Sequence, residues 1–406
     1  MLFRSEIFAV DFDLDTVTAP YLMNAWRPEN PEEAILSTCS TLISVIDDDN
    51  DSKFVQFSHF SVKEFLISDR LRTSKVANIR NDHIPLDVAH TLLARACLTV
   101  LLHLDEKMDK KRLATFPLAL YAARHWFEHA KYEGVAPQVQ GAMEELFNPR
   151  KPYLTSWVWI HDVDQEGFRT PIDTVTDNRS RPEGTALYYA VSCGLCGPAK
   201  YLISTHGEDV NAMCGNRGTP LHAASNKGHL DAVSLLLDHG AEVNVTNGHE
   251  RTPLCDAYAG GHLQVMQLLL EHGAAPDVRY DSSGLLTHDA SYFGRAEVIR
   301  LLLQHNADVN ATAMFNYTPL HWASIGEHAD VAQILLEHGA DIDAVSEAGT
   351  PLSVAVMRGQ FDFTRLLLER GADMQIGGGL DLTEVATRSG YTQIVQLLLE
   401  HGVDKE

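Results

Sequence analysis

Thr219-Pro220-Leu221-His222-Ala223-Ala224 opens a run that passes through Gly228 and Leu235-Leu236-Leu237 and closes on Gly240-Ala241-Glu242-Val243-Asn244. Thr318-Pro319-Leu320-His321 opens the same run again, and near copies start at Thr252-Pro253-Leu254 and Thr350-Pro351-Leu352. Weaker versions start at Thr185, Leu285 and Asp381, so seven starts follow at spacings of 34, 33, 33, 33, 32 and 31 residues. A period of this length over more than half the chain predicts a solenoid of helical pairs. Each pair is too small to bury its own apolar face and is stabilised by stacking on the next.

Each recurring residue has a physical reason. Proline at the first helical position sacrifices no hydrogen bond, because that N–H has no partner within a helix. Leu and Ala of the first helix face the stack, where a small side chain lets helices approach, and the leucine triplets fill the space between units. Gly228, Gly261, Gly294 and Gly359 mark the turn inside a unit, and Gly240, Gly273, Gly339 and Gly371 end the second helix. Two departures carry expectations. Glu327 stands where the fifth unit calls for its turn glycine, with Gly326 one place early, which predicts a distorted turn. Asn306 replaces a helix-ending glycine and predicts retained left-handed geometry.

This pattern resembles the ankyrin repeat, over seven consecutive units spanning residues 184–406. The resemblance implies a mainly α fold and a role in protein–protein binding rather than catalysis. It also makes the histidines structural. His222, His288 and His321 belong to the repeat's own motif. His239, His272, His305, His338 and His401 recur before a helix end, where a donor suits the last carbonyls.

The preceding 183 residues do not repeat. Residues 34–45 read as a helix running into a strand, 47–51 as a turn, 53–59 as a second, alternating strand and 60–71 as a helix. Helix, hairpin and helix give a winged-helix-like unit over residues 1–75. Helical stretches at 86–104, 116–132 and 139–147 make a connector over residues 76–150. Residues 151–183 are read as a linker and N-terminal cap, in which the stretch 157–160 covers the exposed side of the first unit beside Tyr188 and Tyr189.

Val55-Gln56-Phe57-Ser58-His59-Phe60-Ser61-Val62-Lys63-Glu64-Phe65-Leu66 resembles the end of the winged-helix domain in NACHT-type, NLR-like (STAND) signalling NTPases. Fungal members that end in ankyrin arrays are particularly similar, and Tyr121–Trp126 and Ser156–Asp162 resemble the same architecture. The resemblance implies that His59 approaches a bound nucleotide's phosphate, provided that an NTPase domain is present. No Gly-x-x-x-x-Gly-Lys-Ser/Thr phosphate loop occurs in this sequence. The chain is therefore expected to be the sensing or autoregulatory C-terminal half of such a protein, with no cofactor of its own, and its NACHT NTPase domain would be a partner in the full-length protein.

The net charge of −23 disfavours nucleic acid and anionic membranes and favours a basic or neutral partner. Asp47, Asp48, Asp49 and Asp51 occupy the place where a DNA-binding wing needs cations. The six cysteines (Cys39, Cys97, Cys193, Cys196, Cys214 and Cys255) have no disulfide-framework spacing. With an acidic start at Glu6, Asp11, Asp13 and Asp15, a cytoplasmic location is expected. The stretch 88–104, broken by His90, Arg95 and His103, reads as a buried helix rather than a membrane span.

Two chemical motifs compete with this reading. His125-Trp126-Phe127-Glu128-His129 has the spacing of an inverted zinc-peptidase helix and supplies the alternative function, a zinc-dependent hydrolase. Set against it, Trp126 and Phe127 mark an ordinary amphipathic helix. Cys193-Gly194-Leu195-Cys196 has a redox or metal spacing but falls on a repeat turn, where buried cysteines suffice. The expected partner site lies elsewhere, at variable positions on the concave face of the fourth to sixth units. Those positions hold Tyr292, Phe293, Met314, Phe315, Tyr317, Ile325 and Met357, with Trp322 beside them. Equivalent slots in the second unit hold Gly215, Asn216, Asn226 and Lys227, so apolar residues concentrate where the fold does not demand them. Calorimetry with ADP, and with ATP plus magnesium, is expected to show no saturable binding to this chain. Micromolar affinity abolished by His59→Ala would overturn that expectation.

Overall fold

The computed structural model describes residues 86–104, 113, 117–161, 163, 182–214, 217–281, 284–376 and 381–403, with the main chain of three short strands. It divides into two compact units, residues 1–93 with 132–135 and residues 94–131 with 136–406.

In the first unit, β1 (Glu6–Ile7), β2 (Ile43–Asp47) and β3 (Lys53–Phe57) form an antiparallel sheet in the order β1-β3-β2. β2 and β3 pair with Val45 opposite Val55 and Asp47 opposite Lys53, which is the hairpin that the alternation predicts. β1 was not foreseen. The flanking segments expected to be helical (34–42 and 60–71), together with His59, lie outside the described residues.

In the second unit, α1 (Leu86–Leu102, from Ala94 onward), α2 (Pro117–Ala130), α3 (Ala136–Leu146) and α4 (Tyr153–Ile160) pack around an aromatic core. The ring of Trp126 lies 6.0 Å from that of Phe147 and 5.5 Å from that of Trp157, and the Trp157 indole N–H donates to the Ala123 carbonyl at 2.8 Å. α4 falls in the stretch read from sequence as linker. Its eight residues lack an amphipathic stripe because the helix is buried on more than one side, at Leu154, Ser156, Trp157 and Ile160. Trp157 meets Tyr189 of the first repeat edge-on at 6.3 Å, and Val163 accepts a 3.1 Å bond from the Lys227 ammonium of the second repeat. Among the described residues no helix is long and apolar enough to cross a membrane.

Seven helical pairs follow. They are α5 and α6 (Ala186–Ser192, Cys196–Tyr201), α7 and α8 (Pro220–Asn226, Leu230–Asp238), and α9 and α10 (Pro253–Gly260, Leu263–Glu271). Next come α11 and α12 (Leu286–Tyr292, Ala296–Gln304), α13 and α14 (Pro319–Gly326, Ala329–Glu337), α15 and α16 (Pro351–Arg358, Phe361–Glu369), and α17 and α18 (Leu382–Ser389, Thr392–Val403). At every junction but that between the third and fourth pairs, first helices stack closely on first helices and second on second. The expected buried leucines and alanines close the seam, with Leu221, Leu254, Leu286, Leu320 and Leu352 all fully buried.

Polar tethers fix the register of this stack. At each Thr-Pro-Leu-His start, the threonine N–H donates to the histidine Nδ1, at 3.1 Å for Thr219 to His222 and 3.2 Å for Thr318 to His321. That leaves Nε2–H to donate across to the next unit, to the Arg251 carbonyl at 3.0 Å and the Gly349 carbonyl at 3.1 Å. His288 does the same toward the Ala311 and Tyr317 carbonyls. A second ladder runs along the loops. Asn211, Asn244 and Asn310 each donate to a carbonyl one unit on (Gly240, Gly273 and Gly339) and accept an N–H there (Glu242, Ala275 and Asp341). Four of the histidines at the second-helix ends, His239, His272, His338 and His401, also find carbonyls four residues back, as His239 does at Leu235 (2.8 Å).

One junction differs. Between the third and fourth units the first helices (α9 and α11) and the second (α10 and α12) approach each other less closely than the corresponding pairs do at every other junction. Tyr258 and Arg295 fill the gap: the guanidinium lies 4.2 Å from the Tyr258 ring centre and donates to the Tyr258 carbonyl at 3.1 Å. The Tyr258 hydroxyl donates to Asp289 Oδ2 at 2.5 Å, and a cleft of about 520 Å³ opens beside them between Met266 and Val298.

The turn at Glu327 corrects the expectation of distortion. Glu327 itself takes left-handed geometry (φ 62°, ψ 36°), as Gly261 does at the same place in the third unit (φ 76°). Gly326 is required for another reason: a Cβ there would collide with the Tyr292 carbonyl oxygen. Asn306, at φ 66°, behaves as expected.

Two outcomes follow from these observations. Burial lowers the His222 pKa to about 4 and moves His288 and His321 in the same direction, against an unfolded value near 6.5. The unfolded chain then binds protons first, so the tether's full contribution is present above about pH 6.5 and is lost as pH falls toward about 4. Denaturant midpoints measured from pH 7 to 4.5 should fall less in His222→Gln than in wild type, and identical slopes would refute the assignment. Glu327→Gly should stabilise the array by about 0.5–1 kcal/mol in the same assay, because glycine carries no left-handed penalty. A loss of stability would show that the glutamate side chain contributes more than its backbone costs.

Candidate partner-binding surface

α11 ends on Tyr292 and Phe293, and its last turn is closed by the Phe293 N–H on the Asp289 carbonyl (3.0 Å). One unit on, the loop before Thr318 folds into a tight finger. The Ala313 N–H reaches Tyr317 O (3.0 Å), the Asn316 N–H reaches Ala313 O (3.1 Å), and the Tyr317 N–H reaches Met314 O (3.3 Å). At its tip Phe315 and Asn316 are both left-handed, with φ 62° and 58°. Left-handed geometry is costly for a bulky residue and persists only where its surroundings impose it. Here the Glu347 N–H, from the next finger, clasps the Phe315 carbonyl at 3.1 Å.

These elements bring five rings into one chain. Phe293 meets Tyr292 at 4.9 Å, Tyr292 meets Trp322 at 5.8 Å, Trp322 meets Tyr317 at 5.6 Å and Tyr317 meets Phe315 at 6.0 Å. The first three contacts are edge-to-face, a favourable arrangement for aromatic pairs. The ends of the chain are in solvent: Phe293 is 58% exposed, Phe315 51% and the neighbouring Met314 48%. Tyr317 and Trp322 are half-buried; Tyr317 stacks flat on the buried His321 ring at 5.5 Å, and the Trp322 indole N–H is shut from solvent without a hydrogen bond. Trp322 is thus the wall on which the exposed rings lean rather than a free anchor. Ile325 is half-buried, Met357 is exposed at the end of α15, and neither belongs to the ring chain.

Five of the eight side chains grouped from the sequence meet in this chain of rings, and two features were not read. One is the strained finger, for which Asn316, a residue tolerant of left-handed geometry, was the available signal. The other is the contrast with the third unit. There Tyr258 is fully buried under Arg295, and Tyr280 carries the Arg251 guanidinium at 4.9 Å. Burial also raises Asp256 to about 6 and raises Asp289. Lys227, expected as an open polar slot, is engaged by the Val163 carbonyl.

The competing motifs are placed differently. His129 is buried with Nε2 3.0 Å from the Tyr121 hydroxyl, His125 leans on the same tyrosine ring at 4.7 Å, and Glu128 pairs with Lys131 at 2.7 Å. Trp126 and Phe127 fill the core. Among the described residues no three His, Cys, Asp or Glu side chains stand close enough to hold a metal. Cys193 is buried, Cys196 is half-buried with its thiol pKa raised by burial, and neither forms a disulfide.

Comparison with known proteins adds three findings. The family model for ankyrin repeats matches in three copies, over residues 166–247, 244–313 and 287–377. A curated fungal relative, the azaphilone pigments biosynthesis cluster protein L of Monascus ruber, is 29% identical over 246 residues, covering 55% of this chain and 49% of that protein. This chain thus spans about half the length of that relative. Among solved structures, the human ASB11 ankyrin repeat domain is 28% identical, with 53% of this chain and 97% of that one covered at a TM-score of 0.44. The ankyrin repeat domain of Bcl-3, a member of the IkappaB protein family, is 32% identical, with 45% and 86% covered at a TM-score of 0.43.

Proposed function

This chain belongs to the ankyrin-repeat family, and on that premise we propose that it is a non-catalytic protein-binding module whose partner docks on the aromatic ridge from Phe293 to Phe315. The observation that carries the reading is the strained, solvent-facing Phe315 finger, clasped by Glu347 and continuous with four other rings. Nothing in the fold needs a phenylalanine at that tip, since the finger closed by the matching Asn247 N–H to Arg251 carbonyl bond carries His249 at that place and turns on Glu250. Preorganised aromatic anchors in a continuous patch give an interface large apolar area at low entropic cost. The ridge would lie on the concave face. There Met357 would extend it, and Ile325 would support it from below.

The amino-terminal part supports a finer reading. The β2–β3 hairpin runs directly into the His59 segment that resembles NACHT-type proteins. We read residues 1–75 as that winged-helix-like unit, 76–150 as the connector, 151–183 as linker and cap, and 184–406 as the array. In this reading the chain is the cytoplasmic, sensing half of an NLR-like signalling protein, and its NTPase domain lies elsewhere in the full-length protein.

The ridge is tested by comparing wild-type chain with Phe293→Ala/Phe315→Ala in quantitative affinity purification, followed by affinity measurement on the retained protein. Both side chains are exposed, so thermal unfolding should be nearly unchanged while binding weakens by about 2 kcal/mol or more. Trp322→Ala, in contrast, should lower both binding and stability. Equal retention by the double variant and wild type would refute the ridge as the interface.

A further inference from the structure

Resting on the ridge as the docking surface, we propose that the segment bound there is basic, with an arginine or lysine side chain laid over the exposed rings beside apolar neighbours. Three observations converge on this chemistry.

The first is how this chain treats four of its other aromatic rings. Phe127, Tyr258, Tyr280 and Phe361 each carry a cation supplied by the chain itself, from Lys131, Arg295, Arg251 and Arg365. Two of these pairs, on Tyr258 and Tyr280, lie in the unit just before the ridge. Among the described residues, no Lys or Arg lies over any of the five ridge rings. The exposed rings at the two ends, Phe293 and Phe315, are left to whatever docks, and a ring's π face attracts cations.

The second is the charge that frames them. The Met314–Phe315 finger stands between the fingers of the neighbouring units, and both of those carry an exposed carboxylate, Asp281 on one side and Glu347 on the other. Glu347 is fixed against the ridge by its own N–H on the Phe315 carbonyl, and Glu327 is exposed at the end of the helix that bears Trp322. Of the cations nearest in sequence, Arg295 is committed to Tyr258 at the preceding junction and Arg251 to Tyr280. Arg279 is exposed on the Asp281 finger and Arg358 stands at the far end beside Met357, so the carboxylate of Glu347 is the one with no arginine on its own finger.

The third is the net charge of −23, which disfavours a second copy of this chain or any acidic segment as the occupant. A basic segment would be drawn in by the long-range field and then held by stacking between the two carboxylates, which fixes its register.

The probe is a displayed library of random twelve-residue peptides selected on the full chain. Enriched peptides should carry Arg or Lys next to Leu, Met or an aromatic residue, and a synthetic copy should lose roughly tenfold in affinity on Asp281→Asn/Glu347→Gln. Asparagine at position 281 keeps the oxygen that accepts the Gly284 N–H, so unchanged melting would show the finger intact. Raising NaCl from about 50 to about 500 mM should weaken binding in the same direction. Enriched peptides that lose affinity on Phe293→Ala/Phe315→Ala but are neutral or acidic would overturn the basic partner and leave the ridge standing. Basic peptides indifferent to that double variant, or no enrichment at all, would overturn both.

Discussion

The seam between neighbouring units is the constraint on which everything else in this array depends. A pair of helices of seven to nine residues cannot bury its own apolar face, so each leucine in the stack is stable only because the next unit covers it. Apolar burial alone does not fix how far one unit slides on the next. That is set by directional contacts: the imidazole that accepts its own cap N–H and donates to the following loop, and the loop residues Asn211, Asn244, Asp277 and Asn310 that pair with the next unit's backbone. The imidazole requires a neutral, singly oriented side chain. For that reason a histidine-rich protein of this kind uses its histidines as struts.

With the register fixed, the loops between units become rigid arms, and a side chain can be held out in a conformation it would not choose. Phe315 is the clearest case. Its left-handed backbone is sustained by the finger's own bonds and by the clasp from Glu347, and the rings behind it pass the support back to His321, itself a strut. The surface proposed for binding is therefore built on the same residues that hold the solenoid together. The first two units present less open surface, since Val163, in the stretch just before the array, occupies Lys227 and Trp157 meets the Tyr189 ring edge-on.

The array was legible from its sequence because its period, prolines, glycines and leucines each encode a local requirement that recurs unit after unit. Helix ends and stacking faces follow directly from them. The ridge residues were legible for the opposite reason, as apolar side chains in slots where the repeat asks for none. What could not be read was anything that depends on contacts between units. The Phe315 strain arises from a bond to a residue 32 positions away, and the half-burial of Trp322 arises from Tyr292 and Tyr317 on either side. At Glu327 the sequence alone suggests a glycine displaced by one place. In fact two neighbouring positions have separate demands, a close approach at 326 and a left-handed turn at 327, and only the first excludes a side chain. α4 escaped notice because a helix buried on several sides has no polar stripe to reveal it.

The spread junction between the third and fourth units divides the array energetically. Nearest-neighbour coupling in a solenoid is a sum over seams, and in this seam, where the helices approach less closely than at the others, one tyrosine, one aspartate and one arginine bond across. Three side chains can exchange partners in a way that a packed leucine seam cannot. The units on the connector side and the units bearing the ridge are therefore joined by a latch, with Arg295 only two residues beyond Phe293. A load placed on the ridge, whether by a bound protein or by a pull on the chain, would meet its weakest resistance here. The solenoid would respond less as a uniform spring than as two stiff rods with a joint between them.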